Sequence, residues 1–86
     1  MSRYHFHVVD GSAQVDEEGT ELADVNAAKA EAVRLAGEVL RDTAHGDIWA
    51  LEEWKLVVND GPSPESDRTY FTLTLSATDG NLRDDR

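Results

Sequence analysis

The chain has 86 residues, 40% of them apolar and 30% charged, with no cysteine and 18 acids against eight bases for a net charge of −10. That is the size of one domain. No run approaches the roughly 18 apolar residues of a membrane span, and without cysteine there is no disulfide, thiolate metal site or cysteine nucleophile. The bases are scattered, which argues against direct binding to nucleic acid or to an anionic membrane surface.

Residues Arg3 to Val9 alternate in period two, with Tyr4, Phe6 and Val8 on one face and His5, His7 and Val9 on the other, so a strand is expected. This start has one basic residue and no apolar core, unlike a signal peptide, and a cytoplasmic protein is the expectation. Asp10-Gly11-Ser12 carries turn chemistry, and Ala13 to Val15 fits a short returning strand. Asp16-Glu17-Glu18-Gly19 reads as loop.

Asp24 is the candidate N-cap of the clearest helix, Val25 to Ala44. Val25, Ala28, Ala32, Leu35, Ala36 and Val39 form one stripe, which Val33 and Leu40 widen. Gly46 is the expected stop, with His45 before it. Asp47 to Glu53 is ambiguous between a further turn and loop. Trp54 to Asn59 alternates again, with Trp54, Leu56 and Val58 on one face. Asp60 to Asp67 has breaker composition and reads as a mobile connection. Arg68 to Ser76 closes the pattern, with Phe71, Leu73 and Leu75 inward and Tyr70, Thr72 and Thr74 outward.

The expected fold is therefore α+β, a two-layer sandwich in the order β-(β)-α-β-β. An antiparallel three- or four-stranded sheet carries one long helix on one face. Residues 1–77 form the single domain and 78–86 a frayed polar tail. The helix-free face would present His5, His7, Val9, Val57, Tyr70 and Thr72, a mixed apolar and aromatic surface suited to an interface.

Several motifs together resemble a known family. They are Arg3-Tyr4-His5-Phe6-His7, Asp10-Gly11, Asp16 to Leu22 with its D-x-x-G-x-x-L spacing, and Ala28-x-x-Glu31-Ala32. A Trp-led strand, Trp54 to Val58, follows. The pattern is similar to a family of short uncharacterised alphaproteobacterial proteins of rhizobial type, catalogued as a domain of unknown function. The resemblance spans roughly residues 3 to 76 and implies a bacterial cytoplasmic protein with no assigned activity, cofactor or catalytic residue. The stretch Pro62 to Asp67 is longer than the family pattern suggests, which bears on the register of the last hairpin.

Chemistry-bearing constellations are few. His5 and His7, two apart on a strand, project from one face and are the candidate metal ligands, with Asp10 or His45 to complete a set. A His-x-His pair without a third ligand is more often structural or at an interface, so no metal and no cofactor are expected. No serine stands in a nucleophile elbow, and no glycine-rich loop cradles phosphate. Trp49 and Trp54 read as core residues. Asp16, Glu17, Glu18 and Glu21 form an acidic patch within a base-free stretch, read as a solvated loop or a docking patch for a basic partner.

The expectation is a noncatalytic interaction or regulatory module rather than an enzyme. It would use the helix-free sheet face, as a homodimer or with another protein. One alternative is an acidic nucleic-acid mimic or antitoxin-like regulator of a basic partner. The other is a small metal-binding protein built on His5 and His7.

Overall fold

The structure is a computed structural model and describes residues 2–41, 53–66, 68–77 and 80. Among the described residues, five strands and one helix follow in the order β1 (Ser2–Val9), β2 (Ala13–Gln14), β3 (Thr20–Leu22), α1 (Val25–Arg41), β4 (Trp54–Asn59) and β5 (Thr69–Leu75). Every strand pairing is antiparallel. The sheet runs β2-β1-β4-β5, and β3 also pairs with β1. The fold is thus the expected α+β arrangement, with one more strand than the sequence pattern offers.

Register explains the core. Val8 stands opposite Leu56 and Leu56 opposite Leu73, while Phe6 stands opposite Val58 and Val58 opposite Phe71. The period-two rule therefore stacks these residues in rows on one face. Tyr4, Phe6, Trp54, Leu56 and Val58 are buried there with Ala28, Ala32 and Ala36 of the helix. Alanine at four-residue spacing lets the helix backbone approach the sheet, and the large side chains come from the strands. Leu56 and Val58 are fully enclosed, each stabilising the fold by about 1.5–3 kcal/mol relative to exposure.

The helix begins where expected. The Asp24 carboxylate accepts the Ala27 N–H at 2.9 Å, satisfying one of the first-turn donors. Arg41 in the last turn complements the C-terminal partial charge. The helix is described to Arg41, so the expected continuation to Ala44 lies outside the described residues. His45, Gly46, Trp49 and all but Gly80 of the tail lie outside them too. Val33 and Leu40 do not widen the buried stripe: they are 65% and 48% exposed. The helix rests on a narrow line of small residues, so its flanks turn to solvent.

Two departures come from β-structure. Thr20–Leu22, to which the sequence pattern assigns no strand, is β3, pairing Ser2 with Leu22 and Tyr4 with Thr20. The register between β4 and β5 shifts between Val58 and Asn59: Val58 faces Phe71 while Asn59 faces Thr69. Tyr70 is the additional residue of this bulge, and a bulge resets the alternation of side chains. Its ring lies 4.9 Å from the Tyr4 ring at a tilt of 51°, on the core side. The outward placement of Tyr70 is corrected accordingly.

Candidate functional site

The loop after β2 and the turn after β4 fold over the helix-free face of the sheet at β1. They bury the two histidines that period-two logic sends to that face. His5 is 5% exposed and His7 is fully buried. The open, partly solvated histidine pair expected from sequence is therefore not what forms. The two imidazoles lie nearly parallel, 10° apart in plane with centroids 6.0 Å apart.

Asp16 is the hub. Its Oδ2 accepts the Phe6 N–H at 3.0 Å and its Oδ1 accepts the Gly19 N–H at 3.0 Å. Its own N–H donates to His7 Nδ1 at 3.1 Å, and its carbonyl accepts from His5 Nδ1 at 2.8 Å. All four polar atoms of the residue are thereby committed. Phe6 sits between the stretch of β1 paired with β3 and the stretch paired with β2. The Asp16 carboxylate supplies the acceptor that a continuous neighbouring strand would otherwise supply. Burial by itself pushes the Asp16 carboxyl up. The N–H donors of Phe6 and Gly19, with the nearby imidazoles of His5 and His7, outweigh this and hold it below its ordinary value of 3.8.

These contacts fix proton positions. A backbone N–H can only donate, so His7 Nδ1 is an acceptor and the ring proton sits on Nε2. That Nε2–H donates to Asn59 Oδ1 and to the Gly61 carbonyl, both at 3.0 Å. A carbonyl can only accept, so His5 carries a proton on Nδ1. Asn59 is itself fully buried. Its Oδ1 also accepts the Gly61 N–H at 3.2 Å, and its Nδ2 donates to the Ser63 carbonyl at 2.7 Å. The turn after β4, expected to be mobile, is internally hydrogen-bonded: Ser63 N–H donates to Ser66 Oγ and Ser66 N–H to the Ser63 carbonyl. Asp67 lies outside the described residues.

The D-x-x-G spacing now has a physical reason. Gly19 adopts φ +74, and a Cβ there would lie 2.8 Å from Arg3 Cγ and 3.0 Å from the His5 ring. Only glycine meets both demands. Arg3 crosses above it, donating from Nη1 to the Glu18 carbonyl at 2.6 Å and reaching Glu21 at 3.4 Å. At Gly61 a Cβ would lie 2.4 Å from Ser66 Oγ, so side-chain bulk is excluded at the carbonyl that receives His7.

The remaining sequence candidates separate. Among the four acids of the patch, Glu17, Glu18 and Glu21 are exposed, whereas Asp16 is turned inward as the hub. Val9 and Val57 are half-buried and Thr72 is exposed. Register aligns His7 with Val57 and Val57 with Thr72, and Val9 with Lys55 and Lys55 with Thr74. The interface set thus divides: His5 and His7 are covered, Tyr70 faces the core, and Val9, Val57 and Thr72 stay on the helix-free face. Among the described residues no three His, Cys, Asp or Glu side chains converge to hold a metal ion. Both nitrogens of His7 are already engaged, so ligation by His7 requires breaking the network. Sequence reasoning missed Asn59 and Gly61. Their signal was the Asn-Asp-Gly turn immediately after an alternating strand.

What the geometry defines is a two-layer α+β domain whose polar motifs build a buried His–Asp–Asn network. The chain belongs to a family described as Domain of unknown function (DUF6894), whose model matches residues 3–76. Comparison with curated proteins and with solved structures finds no match. Among the described residues, no helix is long and apolar enough to cross a membrane.

Proposed function

We propose that this protein is a noncatalytic protein-interaction module of the cytoplasm, working through the helix-free face at β4 and β5. One observation supports the reading most. Of the groups best suited to chemistry, His7, Asp16 and Asn59 commit their side-chain polar atoms to one another and to backbone, and His5 commits its Nδ1, as folding elements do. The same face farther across the sheet carries Val9, Val57, Thr72 and Thr74, which no helix among the described residues covers. Half-buried valines beside exposed threonines favour contact with another protein surface over free hydration. The simplest partner is a second copy in a two-fold arrangement that sets this patch against itself.

Sedimentation velocity on wild type and on Thr72→Glu tests the proposal. The wild type should run as a dimer at tens of micromolar, roughly the regime of weak self-association, and Thr72→Glu should run as a monomer with an unchanged melting temperature. A monomeric wild type at that concentration contradicts the homodimer.

A further inference from the structure

The outward side of α1 carries a second pattern that the core does not use. Asn26, Ala30, Val33, Gly37 and Leu40 are all exposed. Their spacing alternates four, three, four, three. At 100° per residue they fall within an arc of about 80°. This is the repeat by which one helix seats another, knobs into holes. Gly37 opens the middle of the seam: a Cβ built there meets nothing within 4 Å. An incoming side chain therefore has a place to enter beside Val33.

The flanking charges say which partner fits. In the repeat set by this seam, the flanking positions are Lys29 and Ala36 on one side and Ala27, Arg34 and Arg41 on the other, so every charged one is a base. Three of the eight bases of a chain with net charge −10 border this one strip. The helix acids Glu31 and Glu38 stand on the far flank, where both reach Arg34. Pairing with a second copy sets base against base. Lys29 would face Arg34 of the other chain in a parallel pair, and Arg34 would face Arg41 in an antiparallel one. The acidic remainder of the surface repels an acidic ligand only weakly beyond the Debye length of about 8 Å.

We propose that the outward face of α1 is a docking seam for an amphipathic helix of another protein, one whose apolar stripe is bordered by acidic residues. This goes beyond the sheet-face reading and uses a different surface. The probe is a fluorescent three-heptad peptide of about 21 residues, with leucine at alternating three- and four-residue spacing and glutamate at the flanking positions. A control peptide carries lysine at those flanks. Fluorescence anisotropy should show wild type binding the glutamate peptide about tenfold or more tighter than the lysine peptide, roughly one decade in Kd. Val33→Asp should abolish that binding, and Lys29→Glu with Arg41→Glu should invert the preference. All three substitutions are at exposed positions, and melting curves confirm that the variants fold. Should either variant unfold, the two-peptide comparison on wild type still decides. Thr72→Glu should bind the glutamate peptide as wild type does, which separates this seam from the sheet face. Equal affinity for the two peptides, or no binding of either, overturns the proposal. So does a wild-type dimer that Val33→Asp converts to monomer, since that gives the seam to a second copy.

Discussion

Replacing His7 by leucine isolates the role of the buried network. Leucine matches the imidazole in approximate volume and removes both ring nitrogens. Three contacts disappear: the Asp16 N–H loses its acceptor, and Asn59 Oδ1 and the Gly61 carbonyl lose their donor. Asn59 Oδ1 keeps the Gly61 N–H, so two groups are stranded, the Asp16 N–H and the Gly61 carbonyl. A stranded buried donor or acceptor costs about 1–3 kcal/mol. The sum is about 2–6 kcal/mol, a large part of the stability of a small domain. At about 4–8 °C per kcal/mol for a domain this size, the melting temperature should fall by at least about 8 °C. His5→Leu is the internal comparison. His5→Leu strands one such group, the Asp16 carbonyl, so its loss should be about half as large. Urea denaturation with an unchanged slope provides the free energies. A His7→Leu melt that overlays the wild type, or a His5→Leu loss larger than that of His7→Leu, would refute the reasoning.

Three further outcomes follow from the same contacts. The Asp16 carboxyl titrates below its ordinary value of 3.8 in the folded state. Its stabilisation is therefore full above that value and is lost as pH falls below it. The stability gap between wild type and Asp16→Asn, followed by urea denaturation, should be constant near neutrality and close as pH falls below the ordinary carboxyl value of 3.8. Gly19→Ala should destabilise more than Gly11→Ala in thermal melts. Both glycines have positive φ, but only Gly19 also has Arg3 and His5 in the way. Glu17, Glu18 and Glu21 changed together to Gln should leave the melting temperature unchanged or raised, because the ion pair they make among the described residues, Arg3 with Glu21, is exposed, and such pairs contribute about 0–1 kcal/mol.

Much of the fold was legible because its signals are local. Period two in Arg3 to Val9 and Trp54 to Asn59, the Asp24 cap and the alanine-rich stripe each express one element's geometry. Tyr70 shows where this stops. A one-residue bulge reverses its face, and alternation within a single strand carries no trace of a register shift against its neighbour. Val33 and Leu40 illustrate a second limit. Hydrophobicity placed them in the stripe, but the line of contact follows Ala28, Ala32 and Ala36, where the helix backbone comes closest to the sheet. The histidine site was half legible. Side-chain direction was correctly read for His5 and His7, yet burial depends on a loop that arrives from Asp16 to Gly19 and a turn that arrives from Asn59 to Ser63. Asp16 looked like one acid among several because spacing does not reveal which carboxylate meets an unpaired N–H.

The central claim is that His5, His7 and Asp16 hold the fold together and leave no ring nitrogen of His7 free for chemistry. Nitrogen-15 NMR of the histidine rings at neutral pH, before and after addition of zinc ion, tests it most directly. The network predicts that His7 is neutral, with its proton on Nε2 and an unprotonated, hydrogen-bonded Nδ1, and that neither signal moves when zinc is added. A His7 proton on Nδ1, or His7 ring signals that shift with zinc, would contradict it.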